Sequence, residues 1–143
     1  MSLAYLIETG QALVVTRGWG VPTDRDLEAH QRRLAADPVF DPAMRQIALL
    51  QEVQQMAVSA EGVRRFAALD PFTDAARRAI VVRPGQPLTY GLMRMFSYLA
   101  TDAPEAVQVQ FDHVAKAEGW LGLSSYALPA TAEPAGRMIS GGC

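Results

Sequence analysis

Arg77 to Leu121 reads RRAIVVRPGQPLTYGLMRMFSYLATDAPEAVQVQFDHVAKAEGWL, and its pattern decides the fold. Ala79–Val82 is a short apolar run rich in β-branched residues, the signature of a buried strand. Arg83-Pro84-Gly85-Gln86-Pro87 breaks it. Leu88 to Ala100 then takes helical spacing, with Leu88, Leu92, Met95, Phe96 and Leu99 expected on the core side. A turn through Asp102 and Pro104 leads to a second strand, Val107–Phe111, and an amphipathic helix follows, with Asp112 expected as its N-cap. Strand, helix and strand within about 30 residues predict a right-handed parallel crossover.

Upstream, the same grammar repeats. Leu3–Glu8 and Ala12–Thr16 flank Thr9-Gly10-Gln11 and predict a hairpin, with Gly18-Trp19-Gly20-Val21-Pro22 ending its second strand. Thr23 is placed to cap a helix whose first turns carry Asp24, Asp26 and Glu28, where acids complement the dipole. Leu27, Gln31, Leu34 and Ala35 mark its inner side. Ile47–Leu50 predicts a central strand, Gln51–Val58 its exit loop, and Ser59 the cap of a helix facing inwards through Val63, Phe66, Ala67 and Leu69. Glu61 and Arg65 stand four apart, a spacing that pairs on the outer side. Residues 1–122 thus read as one domain. Residues 123–143, rich in Ala, Pro, Gly and Ser, read as a tail, held in place if at all through Leu128, Met138 and Ile139 or by a neighbouring subunit.

Composition narrows the class of function. A chain of 143 residues, half of them hydrophobic, with net charge −2, is globular and does not call for nucleic acid as a partner. Six arginines against two aspartates nevertheless make residues 64–94 a basic window, a candidate anion-binding or contact surface. The lone cysteine, Cys143, fits a reducing cytoplasm, and neither a signal peptide nor an apolar run of membrane-spanning length is seen.

Catalytic groupings are missing from the pattern. His30 and His113 lack ligand-spaced partners, so no metal is expected, and His30 reads as a partly buried surface residue on its helix. No G-x-S-x-G elbow, phosphate cradle or cofactor motif occurs. Ser59, where a strand passes into a helix, is a candidate phospho-acceptor and otherwise an ordinary cap worth about 1 kcal/mol. Tyr90, Met93, Arg94 and Tyr98 lie off the expected core side of their helix, and aromatic, Met and Arg side chains are the composition of contact surfaces.

The order of elements and the segments DPVF, RRAIVV, YGLMRMF and AEGWLG resemble the SpoIIAA-like proteins. These are a bacterial family near the STAS domains of anti-sigma-factor antagonists and the lipid-carrying CRAL-TRIO domains. The resemblance covers about residues 3–122. It implies an α/β fold: a right-handed β-α superhelix with a mixed sheet of about five strands and four helices mainly on one face. It also implies a protein that is not an enzyme. Antagonists carry an Asp-Ser pair at the start of the helix after their central strand. Here Val58 precedes Ser59, and Gln51 stands where relatives often end that strand with Asp, so the acid of a phosphorylation switch is absent from the local sequence.

Two functions are therefore expected, from different classes. The first is a non-catalytic, cytoplasmic regulatory domain acting by protein contact, as a homodimer, through Arg64, Arg65, Arg83, Tyr90, Arg94 and Tyr98. The second is a carrier of a small apolar or anionic ligand, which requires a pocket of about 300 Å³ or more.

Overall fold

The computed structural model describes residues 2–111, 113–123 and 139–140. The element order is β1 (Leu3–Glu8), β2 (Leu13–Gly20), α1 (Asp24–Ala36), β3 (Arg45–Val53), α2 (Ala60–Ala68), β4 (Arg78–Val82), α3 (Pro87–Ala100), β5 (Val107–Phe111), α4 (Val114–Leu121) and β6 (Ile139–Ser140). The strands form one mixed sheet in the order β5-β4-β3-β2-β1-β6. β1 runs antiparallel to β2, whereas β2, β3, β4 and β5 are parallel. The decisive stretch folds as its pattern predicts: β4 and β5 are neighbours, Ala79 opposite Gln108 and Val81 opposite Gln110.

Each step from β2 to β5 moves one place in the same direction, so crossovers of one hand put α1, α2 and α3 on one face. Side-chain parity agrees. Ala48, Leu50, Ile80, Val82 and Val107 pack with Leu27 of α1, Val63 of α2 and Met93 and Phe96 of α3. The opposite parity, Leu13, Val15, Ile47, Ala79 and Val81, packs under α4 through Ala117 and Leu121. Both faces are covered, which is why β4 is apolar at every position after Arg78. Arg45, at the head of β3, holds α4 in place by donating to the carbonyls of Leu121 (2.8 Å), Gly122 (3.2 Å) and Gln11.

Several local expectations need correction. β2 does not stop before Gly18-Trp19-Gly20 but runs through it, with a bulge between Arg17 and Trp19. A Cβ on Gly18 would lie 2.7 Å from Leu50 Cδ2, so the glycine there serves close packing and does not end the strand. β3 likewise continues to Val53. On α1 the inner side is Leu27, His30, Gln31 and Leu34, with Ala35 exposed; His30 is 2% exposed and no surface residue. On α3 the buried positions are Thr89, Met93, Phe96 and Ser97, while Leu88 and Leu99 face outwards. Phe96, Leu92 and Met95 of the expected stripe do pack on the core, so the helix is rotated only far enough to bury Thr89, Met93 and Ser97 and to open Leu88 and Leu99. Glu61 pairs with Arg64 (3.1 Å), and Arg65 reaches across to Glu28 of α1 (3.1 Å). The cap position of α4 belongs to His113, which makes no side-chain capping bond; Asp112 lies outside the described residues. Of the residues expected to hold the tail, Leu128 and Met138 lie outside the described residues, and Ile139 pairs through its backbone with Tyr5 of β1. No described helix is long and apolar enough to cross a membrane.

Candidate functional site

Three places bring together side chains with chemistry, and they are distinct. The first lies where α1 and α2 begin, beyond the carboxyl ends of β2 and β3. Thr23 caps α1 in a reciprocal capping box with Asp26, the hydroxyl accepting from Asp26 N (3.2 Å) and the carboxylate from Thr23 N (3.0 Å). A single parallel bridge between Thr23 and Ala57 holds the two helix starts side by side. Ser59 caps α2 by accepting from Gly62 N at 2.9 Å. Its own hydroxyl donates to Asp24 Oδ2 (2.9 Å), and its N–H donates to Asp24 Oδ1 (3.1 Å). The acid missing at position 58 is thus supplied in space by Asp24, from a different helix. Beside this pair runs an open groove of about 630 Å³ that Arg25, Glu28, Arg32 and Arg65 also line. Its charges are mixed and largely paired.

Gly62 makes this arrangement possible. A Cβ there would fall 1.9 Å from Asp24 Oδ1 and 2.8 Å from Oδ2. Gly62→Ala should therefore expel the Asp24 carboxylate and cost about 1–2 kcal/mol, although Ala normally gains about 1 kcal/mol over Gly inside a helix. In an Asp24→Ala background the same change should stabilise. A double-mutant cycle by urea denaturation checks this; two effects of the same sign would discard the steric account.

The second place is the surface formed by α3 and the edge strand β5. Tyr90 stacks on Phe111 with ring centroids 4.5 Å apart, and Arg94 donates to the Tyr98 hydroxyl at 3.0 Å. Leu88, Tyr98, Leu99 and Phe111 are 61, 60, 49 and 38% exposed, four of the six large hydrophobic side chains that stand most open among the described residues. A groove of about 540 Å³ between α3 and β5 is lined by Arg94, Ser97, Tyr98, Glu105, Val107 and Val109, among others.

Of the residues singled out in sequence, Ser59 and Arg65 meet in the first groove, and Tyr90, Arg94 and Tyr98 gather on the second surface. Arg64 is paired on the outside of α2. Arg83 donates to Gln51 O (2.9 Å) at the carboxyl ends of β3 and β4. Met93, expected off the core, is buried. The basic window does not form one patch: Arg77 stacks over Trp120 of α4 (4.3 Å to the ring centre), and Arg78 points into the core.

The third place was not anticipated. Beneath α1 and α2 a chain of polar side chains crosses the apolar interior. Gln46 Nε2 donates to Thr16 Oγ1 (3.0 Å), and Thr16 lies 3.0 Å from His30 Nε2. His30 Nδ1 lies 3.0 Å from Gln31 Oε1, and Gln31 Nε2 donates to Phe66 O (3.3 Å) and Asp70 Oδ1 (3.4 Å). Because the Gln31 amide donates onward, its oxygen must accept, so the proton sits on His30 Nδ1 and Thr16 donates to Nε2. Burial pushes the His30 pKa down to about 4, consistent with a neutral ring. The chain ends on a buried ion pair, Arg78 to Asp70 Oδ1 at 2.7 Å, with the guanidinium 4.8 Å from the Phe72 ring centre and 5.6 Å from that of Phe96. Burial raises the Asp70 pKa and Arg78 pulls it back. The enclosed space between this chain and the apolar side chains is about 40 Å³, room for a water-sized guest.

His30 had a legible signal, since it stands three residues after Leu27 on the same side of α1. Among the described residues no cluster of His, Cys, Asp and Glu has metal-site geometry. No family model, curated protein or solved structure matches this chain.

Proposed function

We propose that this chain is a non-catalytic, STAS-like regulatory domain that works by protein contact, and that the surface of α3 and β5 is where it makes that contact. One observation carries the reading: Tyr98 and Phe111, 60 and 38% exposed, stand with Arg94 and the Tyr90–Phe111 stack on this surface, and Leu88 and Leu99, 61 and 49% exposed, leave a further side of α3 apolar and open. Isolated exposed hydrophobics are ordinary, but several on one helix and its neighbouring edge strand, with aromatic and Arg members, have the composition of a contact surface. The space beneath α1 and α2 is only about 40 Å³, and the larger spaces of about 630 and 540 Å³ are open surface grooves, which favours this reading over a carrier that shelters an apolar ligand in a pocket of about 300 Å³ or more. Ser59 is best taken as a cap, because a phosphate on its hydroxyl would meet the Asp24 carboxylate 2.9 Å away.

A photoreactive phenylalanine analogue placed singly at Leu88, Leu99 and, as a control, exposed Asp41 tests this. Adducts of defined mass should form from positions 88 and 99 and not from 41. Equal labelling from all three, or none from α3, would remove the reading.

A further inference from the structure

The two edges of the sheet are not alike. β1 is paired at Ala4 and Tyr5 by β6, whereas no described residue pairs with the outer edge of β5. Protein sheets usually guard a free edge with Lys, Pro, a bulge or an inward charge. β5, Val-Gln-Val-Gln-Phe, has none of these: it is uncharged and pairs with β4 without a break in register. Such a strand is a template for another strand, and its sequence states which one fits.

We propose that two copies of this chain pair antiparallel along β5 about a twofold axis through Val109, joining their sheets into one. This inference rests on the contact reading above and names the partner of that surface as a second copy. In that register Val109 meets the partner's Val109, Val107 meets the partner's Phe111, and Gln108 meets the partner's Gln110. Parity then sorts the pairs. Val107, Val109 and Phe111 lie on the α3 face, so apolar side chains meet apolar ones and extend the patch that Tyr98 and Tyr90 begin. Gln108 and Gln110 lie on the α4 face, opposite Ala79 and Val81 in β4, so amides meet amides. A slip of one residue would set each apolar side chain against a glutamine.

Two polar observations favour the same occupant. Gln110 Nε2 donates to Gln108 Oε1 at 2.6 Å, but Gln110 Oε1 is covered and has no donor within the described chain. In the proposed register the partner's Gln108 amide is directly opposite and can donate to it, in exchange for the Gln110–Gln108 bond within the strand. The groove beside β5 also carries one charge of each sign, Arg94 and Glu105, and neither has an ion-pair partner among the described residues. One charge of each sign beside the strand is compatible with a twofold pairing that sets Arg94 against the partner's Glu105 and the reverse.

Disulfide trapping reads both the pairing and its register, in a Cys143→Ser background. Val109→Cys should give a reducible covalent dimer under mild oxidation, because directly opposed residues have Cα atoms about 4.5–5.5 Å apart. Gln108→Cys alone should not, since its diagonal distance of about 7–8 Å exceeds disulfide reach. Gln108→Cys mixed with Gln110→Cys should cross-link again. The double change Gln108→Lys with Gln110→Lys places like charges opposite one another. It should weaken the dimer at least about tenfold by sedimentation while leaving the circular dichroism of the monomer unaltered. Sedimentation of the unsubstituted protein as a monomer across the micromolar range would overturn the inference. So would equal trapping from positions 108 and 109, or a dimer unmoved by the lysines. In each case adducts at Leu88 and Leu99 would keep the contact reading, and their absence would remove both.

Discussion

Arg78→Met, with Asp70 left in place, is expected to lower the free energy of unfolding by about 3–5 kcal/mol, a large share of the roughly 5–15 kcal/mol that holds a domain together. Arg78 is 1% exposed, and the Asp70 side chain is 3% exposed. Removing the cation strands a carboxylate in a site whose remaining donor is Gln31, at 3.4 Å. The pair itself is a weak source of stability. Both ions were taken out of water to make it, and Asp70 Oδ2 and Arg78 Nε have no partners within the described chain. Asp70→Leu added to Arg78→Met is therefore expected to recover most of the loss, because a matched apolar replacement of a buried pair is often neutral or stabilising. The Met sulfur would also keep a favourable contact with Phe72 and Phe96, over which the guanidinium now lies. Urea unfolding of the two single variants and the double variant measures this directly. A loss below about 1 kcal/mol in Arg78→Met would show that solvent reaches Asp70 and that the site is not the dry interior described.

That interior shows where sequence patterns were sufficient and where they were not. The order of strands and helices was legible because period-two and period-3.6 runs are separated by Pro, Gly and Asp, and the parallel pairing of β4 with β5 followed from the helix between them. Rotation of the helices was less legible. Of the apolar stripe of α3, Phe96 is buried and Leu92 and Met95 pack against the core, yet Leu88 and Leu99 at its two ends stay open while Thr89 and Ser97 are buried. A pattern reports which side of a helix is apolar, not whether that side meets the protein's own sheet. The conflict in α3 is itself informative, because consistency across levels is relaxed where a surface serves contact. Arg78 and His30 were hidden for another reason. Taken singly, each charged or titratable residue is assigned to the surface, and only their convergence with Asp70, Gln31, Thr16 and Gln46 from five different segments makes burial affordable. Asp24 completing Ser59 across 35 positions of sequence is a third case, invisible to any local motif.

The neutral His30 ring makes the stability of this protein fall with acid, and the size of the effect follows from its position. Its pKa is lowered from 6.5 to about 4 by burial, against a raising contribution from the Gln31 amide that is too small to offset it. In the native state Thr16 donates to Nε2, and among the described residues no carboxylate is hydrogen-bonded to the ring to stabilise its protonated form. Between pH 6.5 and about 4 the unfolded chain therefore binds a proton that the native chain refuses. Its contribution is complete above pH 6.5, declines as pH drops, and levels off below about 4, for a total of about 3 kcal/mol. Asp70 acts with the opposite sign: its raised pKa gives a contribution present at low pH and lost as pH rises above its unfolded value. The two are separated by comparing the unsubstituted protein with His30→Gln at each pH. The substitution should cost stability at pH 7, where the amide does not reproduce the ring's span between Thr16 and Gln31, but the deficit should shrink steadily towards pH 4 as the acid penalty on the histidine is removed. Stability curves that stay parallel across this range would mean that His30 can be protonated inside the folded protein, and so that α1 lifts from the sheet far more readily than the closed polar chain beneath it implies.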